Sequence, residues 1–543
     1  MSFFRAGSTL GNYGAALLIA CALALPAAAA NSGQDAASRE FKKTLPLAAG
    51  QTLSIENKFG EVRIHGENSH EAVISATIRS QAGSQAQAEK FAESVQIEVT
   101  QDAHGITVRT VAPSDNPLVF RVGHKNSYSV DYDIAVPSEA KLWVKNSFGN
   151  VEIRGARAWN DVENSHGQLT ARDVGASKLT NAFGAIEAEG VAGDVTVVNS
   201  NGTVTVSDVK GIADIKDRFG SITAKNIQGS VTIVGGNGPV ELTDAGNSKV
   251  NNSFGPVTVR NIHGTLSINN NNGAIEANTV SGSADLNSSF GAITFANVTG
   301  LVKCTANNGR VAGGPTGEDV YVRNSFGEVS LEQISGGVEI VNSNGAIIVR
   351  EIKGSATLNT SFGAIEASGL RKGVRATTGN GRISLADMGA DTYAKTSFGA
   401  VTIQRVNGNL TIENSNGQVT ASSVKGDATA RTSFAGVTLD DIGGDMTVDN
   451  QNGAIRLTAT RTSTGCKNIS AKTSFSPIQV RLPENAGYNL TARTSFGRIN
   501  SELPITTVGQ VGGDSLAGKI GNGACTLSLT NSNGNIEILK LAK

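Results

Sequence analysis

Four residue classes in this chain of 543 residues carry side chains able to act on a ligand: outward carboxylates, histidines, cysteines and aromatics. Cleaving a polysaccharide needs two carboxylates, or a base beside a cation, at one place. Glu187, Glu241, Glu276 and Glu366 instead share one long column with Thr205, Thr223, Thr258, Thr294, Ser330, Ser384 and Thr402, so they are spread along the chain. Asp440 and Asp441 are adjacent, but neighbours on a strand point to opposite faces, and the pair reads as a turn. His65, His70, His104 and His124 lack the short spacing of converging metal ligands and read as surface groups. Calcium-binding β-rolls need Gly-Gly-x-Gly-x-Asp corners to supply oxygen ligands, whereas the corners here are Asn-Ser-Phe-Gly and Asn-Ser-Asn-Gly. No catalytic, cofactor-binding or metal residue is expected.

Sugar binding favours exposed aromatic faces. Strand alternation points Trp143, Tyr321 and Tyr393 outward, which makes them the candidate glycan contacts, although several repeats separate them. Cys304 falls at an inward position and reads as a buried thiol. Cys466 and Cys525 both fall in an irregular C-terminal stretch, where they form either a stapling disulfide or two free thiols. Charge is balanced to a net of -1, which gives no support to nucleic acid or an anionic membrane as a partner.

The elements that position these residues repeat. Turn glycines recur at steps of eighteen or seventeen residues from Gly149 to Gly417, and a second glycine halfway between them splits each unit into two strand-plus-turn halves. Val329, Leu331, Val338 and Ile340 alternate with polar residues, the period of strands with one buried face. Such strands cover that face only by stacking on copies of themselves, the signature of a solenoid. The expected fold is all-β: a parallel β-helix or β-solenoid with about 18 residues per coil, capped at both ends, with one helix in the N-terminal cap.

The residue before the turn glycine alternates Phe and Asn, giving a 36-residue chemical repeat and a structural ladder that includes Phe326, Asn344, Phe362, Asn380, Phe398 and Asn416. Small residues such as Ala356 precede Phe turns and large ones such as Val338 precede Asn turns, which predicts a constant core volume per coil. Asparagines three places before the turn glycine, among them Asn199, Asn342, Asn414 and Asn450, either stack amide on amide or simply form turns. The turn glycines are expected to supply positive φ angles.

Residues 1–30 read as a signal peptide, cleaved between Ala30 and Asn31, and Leu18-Ile19-Ala20-Cys21 offers a lipoprotein alternative through Cys21. No transmembrane span is expected in the mature chain. Residues 31–140 form an N-terminal cap with the first coils and a helix over Ser84 to Ser94; residues 141–456 are the regular solenoid; residues 457–543 are irregular coils and a cap.

Leu53-Ser54-Ile55-Glu56-Asn57 with Gly60-Glu61-Val62, the Ala135-Val136-Pro137 step into Asn146-Ser147-Phe148-Gly149, the Gly-x-Val-x-Val units and the closing Leu516-Ala517-Gly518-Lys519-Ile520-Gly521 resemble a bacterial family of candidate adhesins of unknown function with β-strand repeats. The resemblance implies an extracytoplasmic adhesin-like β-solenoid and brings no catalytic residues. The expected role is a non-enzymatic cell-envelope scaffold, with an envelope polysaccharide or surface protein as the partner. The alternatives are a carbohydrate-active enzyme and a lipid-anchored envelope stress sensor.

Overall fold

The computed structural model describes residues 35–113, 126–460, 467–507 and 512–541. Ala30, Asn31, Cys21 and Cys466 lie outside the described residues.

Each coil gives one strand to each of two long sheets, and neighbouring coils pair in parallel. In one coil the strand Val338–Asn342 buries Val338, Ile340 and Asn342, and the strand Ile347–Ile352 buries Ile347, Val349 and Ile352. Eighteen residues later the same columns return, with Val338 opposite Ala356 and Ile347 opposite Ile365. This is the expected β-solenoid. At about 4.8 Å per coil, the seventeen steps from Gly149 to Gly453 make a rod of roughly 80 Å.

The second strand needs a kink, because its inward residues are spaced by two and then by three. Glu351 supplies it with φ 55°, so Arg350 and Glu351 both face out before Ile352 re-enters the core. Asp387, Arg405, Ser423 and Asp441 do the same in other coils. Asp440 and Asp441 therefore sit inside the strand Val437–Ile442, at its left-handed step. They do not form the separate turn that alternation predicts.

The turn glycines also need correction. Gly327 has φ 131°, but Gly345 is not among the residues with positive φ. What the two share is clearance: a Cβ on Gly345 would lie 1.7 Å from the Gly327 carbonyl oxygen, and one on Gly327 would lie 2.2 Å from that of Gly309. Stacked corners, more than dihedral freedom, demand glycine here.

Core volume is not balanced by the phenylalanine column, because those rings lie outside the core (Phe326 is 55% exposed). Large residues instead cover small ones along the axis, as Val338, Ala356 and Val374 do in register. The buried Phe295 faces Gly313 in the next coil, where a Cβ would come within 2.2 Å of its ring.

At the N-terminal end, strands β1 (Asp35–Pro46), β2 (Thr52–Phe59), β3 (Val62–Glu67) and β4 (Glu71–Ala82) precede helix α1 (Gln85–Ser94). Strands β5 (Gln96–Gln101), β6 (Gly105–Val111), β7 (Ser127–Pro137), β8 (Lys141–Phe148) and β9 (Val151–Arg154) follow. β2 and β3 form a coil on β8 and β9, with β6 and β7 as the next layer outward. Antiparallel strands then close both sheets: β5 on β6, and β4 on β7 with β1 outside it. Ser84 caps α1, its Oγ accepting from the Gln87 N–H at 3.4 Å. Sequence reasoning found the helix but missed β1 and β4.

At the other end the chain doubles back. Cys525–Asn531 and Ile536–Lys540 slot between the coil at 469–482 and the strands Tyr488–Arg493 and Ile499–Ser501. Ser515–Ile520 then runs antiparallel to Tyr488–Arg493. No helix among the described residues is long and apolar enough to cross a membrane.

Candidate functional site

The Asn-Ser-Phe-Gly and Asn-Ser-Asn-Gly corners are fixed from inside. Asn324 is buried, and its Nδ2 donates to the carbonyls of Gly309 at 3.1 Å and Gly327 at 3.0 Å. Asn342 donates to the Gly327 carbonyl at 2.8 Å. Where the column carries threonine, the hydroxyl takes over: Thr360 donates to the Gly345 carbonyl at 3.2 Å and accepts from the Gly363 N–H. The buried asparagines Asn199, Asn414 and Asn450 bond to backbone in the same way. This ladder therefore runs from side chain to backbone, not from amide to amide. Within this column an amide–amide bond joins Asn146 to Asn164 at 3.3 Å.

A corner pinned in this way projects the residue two places on. Phe362 and Phe398 are 62% and 63% exposed, and Asn344, Asn380 and Asn416 stand out between the rings. Asn344 Nδ2 donates to the Ser325 carbonyl at 3.2 Å and Asn416 Nδ2 to that of Ser397 at 3.3 Å, so each outer asparagine lies against the Phe corner before it. Near the N-terminus the rings stack along the axis, with centroids 5.2 Å apart for Phe59–Phe148, 4.5 Å for Phe148–His166 and 4.9 Å for His166–Phe183.

In sequence the alternation breaks after Asn452, since Phe475 and Phe496 follow one another before Asn533. In space it does not. Asn533 N–H donates to the Ser474 carbonyl and Phe496 N–H to that of Ser532, so Asn533 sits between the two phenylalanine corners.

A second outward column lies on the strand that leads into each of these corners. Trp143, Tyr321 and Tyr393 all occupy it, in the strands Lys141–Phe148, Val320–Asn324 and Thr392–Thr396. They share one line but are not adjacent: Tyr321 and Tyr393 are four coils, or about 19 Å, apart. Tyr321 lies between Lys303 and Glu339, and the Arg375 guanidinium sits 4.0 Å from the Tyr393 ring centre. The column thus alternates aromatic, cationic, anionic and hydroxyl groups at coil spacing.

The outward glutamates are engaged by arginines: Glu187 by Arg172 at 2.6 Å, Glu276 by Arg260 at 3.0 Å, and Glu366 by Arg382. Arg405 pairs with Asp387 through two hydrogen bonds and holds its carboxyl below the usual range. Among the described residues, no group of three or more His, Cys, Asp or Glu side chains converges on one point. Cys304 is buried and free, and burial pushes its thiol well above the usual range. Cys525 is disulfide-bonded.

Sequence reasoning missed a further ladder at the opposite corner. Asp391, Asn409, Asp427, Asp445 and Asn468 each accept the backbone N–H of the coil above, at 2.8 to 3.0 Å, the last bond reaching Thr526. Its signal was an Asp or Asn just after the midway glycine, as in Gly408-Asn409 and Gly426-Asp427.

Residues 371–539 match the Toastrack DUF4097 family, a domain of unknown function. A solved structure of a candidate cell adhesion protein from Clostridium sporogenes aligns with 41% of this chain and 99% of its own, at 8% identity and a TM-score of 0.18. No curated protein matches.

Proposed function

We propose that this Toastrack-bearing chain is a non-enzymatic, extracytoplasmic scaffold that binds an envelope polymer or surface protein along an extended repetitive face. The observation that carries this reading is the outward column that places Trp143, Tyr321, Arg375 and Tyr393, among charged and hydroxyl groups at coil spacing, on one line of a rod fixed by backbone pairing. Each site is shallow, so affinity comes from many weak contacts made together. The Ala30–Asn31 cleavage site and the disulfide at Cys525 support an oxidising compartment outside the cytoplasm.

Screening the processed chain against arrays of glycans and envelope polymers, with product release assayed in parallel, tests the proposal. Binding without turnover is expected, and Tyr321→Ala with Tyr393→Ala should weaken it about tenfold. Turnover of any polymer overturns the non-enzymatic reading.

A further inference from the structure

The phenylalanine ladder is not used by that face. Eleven of its rings, from Phe148 to Phe496, are 43% to 80% exposed and lie in one line. A phenylalanine side chain offers on the order of 200 Å², so the line presents roughly 1,200 Å² of aromatic surface. A standard interface needs about 800 Å² per partner, and monomers rarely leave so large an apolar feature open. The corners keep the rings outside the core: Asn324 and Thr360 pin theirs to glycine carbonyls, and the stacked glycines there leave no room for a Cβ.

We propose that a second copy of this chain covers the ladder, in an antiparallel pair in which each phenylalanine seats opposite an asparagine. Three features select this occupant. First, the exposed rings occur on every second coil, with the shorter Asn344, Asn380 and Asn416 leaving notches between them, and a partner that fills every notch must have the same two-coil period. Second, the corners are mostly uncharged (Asn324-Ser325-Phe326-Gly327, Asn342-Ser343-Asn344-Gly345), so two identical ladders meet with little repulsion. Third, a two-fold axis makes the coil numbers of facing coils sum to a constant. An odd sum sets Phe coils against Asn coils along the whole contact, and this requires only a one-coil offset from full overlap. Where rings stack on neighbouring coils, at Phe148, His166 and Phe183, their faces turn along the axis and their edges point outward.

The inference goes beyond the proposed function, and its test needs no ligand. Sedimentation of the processed full chain should show a dimer. Replacing Phe326, Phe362 and Phe398 together by Asn installs a residue that the same position already holds in alternate coils, so the fold is retained, and the dimer dissociation constant should rise about a hundredfold or more. Replacing Asn344, Asn380 and Asn416 by Phe fills the notches and should also dissociate the dimer, whereas general stickiness would strengthen it. A monomer at all concentrations, a dimer indifferent to both triple variants, or tighter association of the notch-filled variant would each overturn the proposal. A monomeric chain whose Phe→Asn variant loses glycan or vesicle binding would likewise overturn it and assign the ladder to that partner.

Discussion

Asp217 stands where most other coils carry Asn, Ser or Thr, in the buried column where side chains such as Asn199 and Asn342 donate to a glycine carbonyl fifteen residues earlier. An ionised carboxylate has no proton to give. Burial pushes its carboxyl up to about 6, against the pull of the Arg218 and Phe219 N–H groups. The folded value lies above the unfolded one, so the stability contributed by the protonated form is present below about pH 4 and is lost as pH rises through about 6. Asp217→Asn should therefore stabilise the fold at pH 8 by about 1–3 kcal/mol, with the gain shrinking toward pH 4; a gain independent of pH would refute this. In the same column Asn342→Thr should cost under about 1 kcal/mol, because Thr360, Thr378 and Thr396 already fill the role, whereas Asn342→Ala should cost more, about 1–2 kcal/mol, by removing one of the two amides that hold the Gly327 carbonyl. Chemical denaturation of the two variants side by side checks the ranking. The presence of these asparagines was legible from the repeat. Their partners were not, because backbone carbonyls of a neighbouring coil leave no mark on the sequence.

The strands of the array were legible because each repeats the same inward columns. The kink at Glu351 was harder to see: a left-handed residue that is not glycine looks like any polar residue, and only the step from Val349 to Ile352 betrays it. β1 was hidden because it is edge-bound and mostly exposed, whereas β4 was missed even though Ala72, Ile74, Ala76 and Ile78 alternate inward as a strand should. Both ends finish in antiparallel strands, which cap the stack instead of presenting another parallel coil. Removing β1 should bare the edge of β4 and promote association that does not depend on the phenylalanine ladder, a dependence that light scattering of the truncated Phe→Asn variant reads directly. At the far end, Cys525→Ser should destabilise the fold by about 2–4 kcal/mol, read as a lowered unfolding midpoint.

The whole molecule is a rod with distinct lines of chemistry: a mixed aromatic and charged column on one sheet, arginine–glutamate pairs on the other, and an aromatic ridge at a corner. The doubling back at the C-terminus preserves the ridge, placing Asn533 between Phe475 and Phe496 even though the chain meets them in another order. That order was not legible, since a strand returning between two earlier coils obeys the same local pattern as one added at the end. If binding is distributed along the face, excising 36-residue units in register, such as residues 328–363 and then 364–399, should weaken attachment to an immobilised envelope polymer in steps. The most direct measurement is therefore the dissociation rate of this deletion series. A graded rise with each unit removed is the expected result, and complete loss of binding on removal of a single unit would contradict it by placing the activity at one local site.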